Sequence, residues 1–135
     1  MRRTVATLAV AAVALAGCGG GAGEDAKSAV KSYVNAFVNG DGAKACSLMT
    51  ASTRRQFVAR TRQPYKTTDC VSAVEAIRTT AGQAGMDKLK KLTYSDAKVT
   101  GDTATVKLTS GSRTSTANLK KEGGSWKVSG APGTQ

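Results

Sequence analysis

No histidine occurs among the 135 residues, and there are only 2 prolines, 3 cysteines, 1 tryptophan, 3 tyrosines and 2 phenylalanines. Each scarcity excludes something. Without histidine, Ser-His-Asp and Cys-His nucleophilic machinery cannot form, and the usual zinc ligand sets lack members. So few rings offer little for stacking nucleic-acid bases. Acidic side chains are short too, at 9 Asp and Glu against 20 Lys and Arg for a net charge of +11, and none lies between Asp41 and Asp69. No metal or cofactor is expected, and no enzyme of these catalytic classes.

What is present begins with Arg2 and Arg3, followed by an apolar stretch from Val5 to Gly17. A membrane-crossing helix needs about 20 apolar residues, so this stretch reads as the h-region of a secretory signal rather than a retained span. It closes on Leu15-Ala16-Gly17-Cys18, which resembles the bacterial lipobox. That resemblance implies cleavage before Cys18, a diacylglyceryl thioether on its sulfur, and anchoring on the outer side of the cell membrane. Two or three acyl chains hold stably, whereas one gives only marginal, reversible binding. Residues 1–17 are thus expected to be a lipoprotein signal peptide. Residues 18–25, with Gly19-Gly20-Gly21-Ala22-Gly23, read as a flexible tether spanning on the order of 14 Å.

Loss of Arg2 and Arg3 lowers the net charge of +11 to +9, still strongly basic. With Cys18 given to lipid, Cys46 and Cys70 remain as an even pair in an oxidising compartment, which reads as a disulfide. Closing that loop of about 25 residues would stabilise by roughly 3.5 kcal/mol in the chain-entropy account. The rival arrangement is two buried thiols or a redox pair, although the spacing is not C-x-x-C.

The remaining chain, 26–129, is long enough for one domain with one core. Ala26, Ala29, Val30, Tyr33, Val34 and Phe37 recur at helical spacing over 24–39, with Lys27, Lys31 and Asn35 opposite. Asn39-Gly40 predicts the C-cap, and Asp41 caps a short second helix burying Ala45, Cys46 and Met49. Thr53-Arg54-Arg55-Gln56 has capping-box spacing and starts another helical turn, with Phe57 and Val58 inside, until Pro64 interrupts it. Thr67 to Asp69 offer caps for a helix from about Cys70 to Thr80 that buries Val71, Val74 and Ile77. Gly82 and Gly85 predict a loop.

From Leu92 the period changes to two. Ala97 and Val99 lead into a turn at Gly101-Asp102. Ala104, Val106 and Leu108 then alternate with Thr103, Thr105, Lys107 and Thr109. Turns at Ser110-Gly111-Ser112 and Glu122-Gly123-Gly124 separate two more strands, with Ala117, Leu119, Trp126 and Val128 facing inward. The pattern predicts an antiparallel meander with a threonine-rich outer face, and residues 130–135 read as a disordered tail.

Helices followed by a curved antiparallel sheet make an α+β arrangement. The opening helix Ala29 to Val38, the Asn39-Gly40-Asp41 break, Ala45-Cys46-Ser47-Leu48 and Cys70 carry a closer likeness. So do the Val99-x-Gly-Asp-x-Ala-x-Val106 strand pair and Gly-Gly-Ser-Trp-Lys-Val128. Together they resemble the nuclear-transport-factor-2-like superfamily, and within it small bacterial lipoproteins. The resemblance implies a cone-like fold with helices in the concave face of the sheet and often a pocket at the open end. Isomerase- and cyclase-like members of that superfamily work with a pocket Asp, and here only Asp96 lies near an inward strand position. It is in phase with Tyr94 but out of phase with Ala97 and Val99, a conflict that a bulge would reconcile.

The leading functional expectation is a non-catalytic binding or interaction module, with Tyr33, Phe37, Tyr94 and Trp126 as pocket-lining candidates or, alternatively, as core. The competing expectation is an isomerase or cyclase acting through Asp96. The basic stretch holding Arg54, Arg55, Arg60 and Arg62 suggests a third role, contact with anionic lipids or envelope polymers, against the alternative of a merely soluble surface. Export argues against nucleic acid as partner. No protein partner is implied.

Overall fold

The computed structural model describes residues 21–130. Residues 1–20, which include the expected signal peptide and Cys18, and residues 131–135 lie outside the described residues. Four helices come first: α1 (Ala22–Asn39), α2 (Gly42–Ser47), α3 (Ala51–Tyr65) and α4 (Cys70–Lys90). Five strands follow: β1 (Thr93–Tyr94), β2 (Lys98–Thr100), β3 (Thr103–Ser110), β4 (Arg113–Glu122) and β5 (Ser125–Val128). The helices pack on a curled antiparallel half-barrel sheet, the α+β arrangement expected from the pattern and the cone-like form that the resemblance implies.

The first helix forms where its spacing demands. Ala26, Val30, Tyr33, Val34 and Phe37 are buried against the sheet, and Glu24 and Asp25 sit in the first turn where the helix dipole favours negative charge. It begins at Ala22, so Ala22 to Asp25 are helical rather than part of a tether. Gly40 ends it at φ 78°, a left-handed conformation that glycine adopts without a Cβ penalty. A Cβ there would also approach Arg78 Nη1 to 2.7 Å. The Arg78 guanidinium lies that close because Nη2 donates to the Val38 carbonyl at 3.1 Å, satisfying one of the orphan acceptors of the helix end.

The disulfide Cys46–Cys70 is present and joins α2 to the first residue of α4. Beside it, Gly42 approaches Val71 so closely that a Cβ would meet Val71 Cγ1 at 3.0 Å. Asp41 caps α2 through the Lys44 amide, and Asp69 caps α4 in a reciprocal capping box with Ser72.

Three helical expectations need correction. The N-cap of α3 is Thr50, whose hydroxyl accepts from the Thr53 amide, so the helix starts earlier than the Thr53 box implied. The competing signal was tertiary: the Glu122 carboxylate from the end of β4 accepts the Ala51 amide and fixes the helix start. In α4, Ala73 rather than Val71 is buried with Val74, and Val71 is 49% exposed. The disulfide at Cys70 and the tight Gly42 contact set the rotation of that end. Finally, the predicted loop at Gly82 and Gly85 is helix. Gly82 alone breaks the geometry, at φ 64° and ψ −174°, and helical backbone resumes through Lys90. A backbone kink at one glycine is enough to redirect a helix without ending it.

The sheet runs β1-β3-β4-β5, with β2 also paired to β3. Thr93 and Tyr94 pair with Thr109 and Leu108, but Lys98, Val99 and Thr100 pair with Thr105, Ala104 and Thr103. The register therefore slips by one residue across Ser95 to Ala97, a bulge that resolves the phase conflict noted above. Ala104, Val106, Leu108, Ala117, Leu119, Trp126 and Val128 are buried against the helices, and threonines and lysines occupy the opposite face. Val99 lies opposite Ala104 yet is 38% exposed. Met49 bridges to Val128 in parallel, with backbone bonds from Thr50 to Val128 and from Val128 to Leu48, tying the α2–α3 link to the sheet edge.

Candidate functional site

Between α1, α3, the two arms of α4 and the inner face of the sheet lies a cavity of about 660 Å³. Its deep wall is apolar: Val34 and Phe37 from α1, Met49, Met86 beyond the Gly82 break, and Leu108 from β3 are buried and line it. Phe57, Ile77, Leu89 and Leu92 complete the apolar surface at intermediate depth. The exposed lining residues, Ala81 apart, are of another kind: Gln56 and Arg60 on α3, Tyr65 at its end, and Lys88 on the second arm of α4. Charge is thus confined to the exposed part of the wall, while the buried part holds apolar side chains with Tyr33, Thr53 and Thr61 among them.

The polar groups inside are mostly spoken for. Thr53 Oγ1 accepts from the Thr50 hydroxyl at 2.7 Å and from the Gly130 amide at 2.9 Å. Thr61 Oγ1 donates to the Phe57 carbonyl and accepts from the Thr67 hydroxyl. Tyr33 is different. It lines the cavity, is 9% exposed, and makes no hydrogen bond among the described residues. Burial pushes its phenol up to about 12, so it stands as a neutral donor rather than a base. No carboxylate, histidine or thiol lines the wall, and no group of three metal-ligating side chains occurs among the described residues. The arrangement can enclose an apolar molecule and bond to its polar end.

The sequence-predicted residues part company here. Tyr33 and Phe37 line the cavity together, their ring centroids 6.3 Å apart. Tyr94 and Trp126 do not line it. Tyr94 lies half-buried on β1 under Lys31 Nζ, 5.6 Å from the ring centre, and burial raises its phenol. Trp126 is core, 6% exposed, with Lys121 Nζ 5.3 Å above its ring. Asp96 projects from the bulge with its side chain 93% exposed, 3.3 Å from Lys27 Nζ, and is not part of the cavity wall. A catalytic Asp96 in a pocket is therefore not what the fold builds. Arg54, Arg55, Arg60 and Arg62 all lie on α3, but only Arg60 borders the cavity.

Lys88, Leu89 and Met86 were missed as lining residues because the segment carrying them reads as a loop. Met86-x-x-Leu89-x-x-Leu92 continues helical spacing and was the available signal. Ser115 was missed because its strand position alternates with polar neighbours, although it sits opposite buried Leu108.

A protein-family model described as a domain of unknown function (DUF4878) matches residues 16–129. No curated protein and no solved structure matches the chain.

Proposed function

Because the chain belongs to the DUF4878 family, whose matched region takes in all but the last residue of this cone, we propose that it is a lipid-anchored, extracytoplasmic binding module. In this reading Cys18 carries the lipid, the domain is of the nuclear-transport-factor-2-like kind, and its cavity takes up a small ligand without transforming it. The observation that carries the binding reading is the cavity itself. Its volume of about 660 Å³ falls within the roughly 300–1,000 Å³ usual for small-molecule sites, and an apolar wall with a few convergent polar groups is their usual chemistry. That no carboxylate, histidine or thiol among the described residues lines the wall supports binding over turnover.

The anchor rests on the Leu15-Ala16-Gly17-Cys18 pattern, and the family match reaching back to Ala16 accords with it. The Cys46–Cys70 disulfide suits an oxidising compartment. Metabolic labelling with a palmitate analogue tests this half: label on the wild type but not on Cys18→Ser supports it, and equal label on both removes it. The cavity half is tested by titrating the full chain with a fluorescent apolar probe against the variant Ser115→Trp, which puts an indole into the cavity from β4. Saturable probe binding that the tryptophan abolishes supports the reading. Binding unaffected by the plug removes it.

A second reading is favoured by one feature. Arg54, Arg55 and Arg62 lie on α3 outside the cavity and make no ion pair among the described residues. Such a face can rest on anionic lipid at about 1 kcal/mol per cation near the surface. Co-sedimentation with anionic vesicles that disappears at high salt supports it, and salt-independent association contradicts it.

A further inference from the structure

We infer that the ligand of this cavity is a single-chain anionic amphiphile, its hydrocarbon tail against Phe37, Met86 and Leu89 and its charged head between Arg60 and Lys88. The inference rests on the cavity being a ligand site and names the chemistry it selects. Three independent features of the wall agree on it.

The first is the gradient of polarity. Apart from Tyr33 and the two threonines, Thr53 and Thr61, whose hydroxyls are engaged, the buried lining residues are apolar, and both charged ones are exposed, so a ligand charged at one end only matches the wall along its length. A compact apolar molecule would leave the rim unused, and a polar one would be desolvated against Val34, Phe37 and Met86 with little besides the Tyr33 hydroxyl to bond to. The second is the sign of the rim. Its two charged side chains, Arg60 and Lys88, are both cationic, come from different helices, and no carboxylate lines the cavity. Neither forms an ion pair among the described residues. Asp87, next to Lys88 in the chain, is engaged elsewhere, 3.7 Å from Lys90 Nζ and accepting from Gln83 at 2.9 Å. The third is the surroundings. Helix α3 carries Arg54, Arg55, Arg60 and Arg62 and no acidic residue, and Lys91 follows Lys88 within one helical turn, so the net charge of the two segments that supply the rim is positive and favours approach of an anion.

The head group shared by the candidate sources is an anion on a saturated chain, either a carboxylate, as in a free fatty acid, or a phosphate, as in a lipid. The test compares four probes with the same tail on the full-length chain by calorimetric titration: dodecanoate, dodecyl phosphate, dodecanol and dodecyltrimethylammonium. At least one anionic probe is expected to bind about tenfold or more tightly than dodecanol, as one or two charge-assisted bonds at the rim imply, and the tighter anion names the source. Arg60→Gln with Lys88→Gln is expected to cut that preference to below about twofold while leaving dodecanol binding in place. Both residues are exposed, so the pair should not unsettle the fold. Dodecanol binding as tightly as both anions, or an anion preference untouched by the double substitution, overturns the assignment. Failure of all four probes overturns instead the ligand-site reading beneath it.

Discussion

At one end of the helical layer the parts are locked together. A disulfide joins α2 to α4, Gly42 lies tight against Val71, and Arg78 reaches across to the Val38 carbonyl. At the other end α1, α3 and the second arm of α4 surround open space of about 660 Å³. The two regions share α1 and α4, and α2 belongs to the first while α3 belongs to the second, so the difference lies in where the chain places its strongest constraints. Unfilled apolar volume lowers stability, because wall atoms lose contacts they would otherwise make. A small domain that leaves such a volume at one end needs compensation elsewhere, and the covalent staple is placed where the packing is already closest. The contrast separates the part that holds the fold from the part free to bind.

The contrast can be broken most severely at the staple. Replacing Cys46 and Cys70 by serine should destabilise the domain by about 3.5 kcal/mol, lowering Tm by roughly 15 °C. Chemical denaturation and thermal melting check this. Probe affinity measured well below the new melting point should change little, since neither cysteine lines the cavity. A loss below 1 kcal/mol would mean the staple is not what secures that end.

A pair of leucines sharpens the comparison. Leu119 is 2% exposed on the filled side of the sheet, and Leu119→Ala should cost about 3 kcal/mol. Leu89 borders the cavity and is only partly buried, so Leu89→Ala should cost about 1 kcal/mol while weakening probe binding. Equal costs from urea denaturation would show the cavity end to be as tightly packed as the core.

The smallest effect concerns Asp69, the exposed cap at the stapled end. The Ser72 amide, donating at 2.8 Å, holds its carboxyl below the ordinary value. A depressed folded value means the contribution is complete above the unfolded value and fades as pH falls through the folded one. The stability gap between wild type and Asp69→Asn should therefore narrow as pH falls below about 5 and stay constant above. A gap that widens on acidification would reverse the assignment.

Much of the fold was legible in the sequence because it is local. The α1 stripe, the Asn39-Gly40 stop, the Asp41 and Asp69 caps and the alternation of β3 and β4 each depend on neighbours a few residues away. What escaped depends on distant ones. Gly82 reads as a loop residue, yet Met86 and Leu89 find the core and carry the helix past it. The burial of Ala73 in place of Val71 is dictated by a disulfide and by Gly42 across the helix pair. The candidate site was legible only in part. Tyr33 and Phe37 share one helix face, but whether a ring ends in core, as Trp126 does, or beside open space is decided by where three helices leave a gap. Arg60 was singled out for its charge, and only the fold separates it from Arg54, Arg55 and Arg62 by placing it at the rim.

The central claim, that one end holds the fold while the other binds, is tested most directly by amide hydrogen exchange of the full chain with and without saturating dodecanoate. Added protection should be confined to residues 53–65 and 81–92 and the middle of α1, with α2 and the first turns of α4 unchanged. Protection that rises at the stapled end instead, or uniformly over the domain, would contradict it.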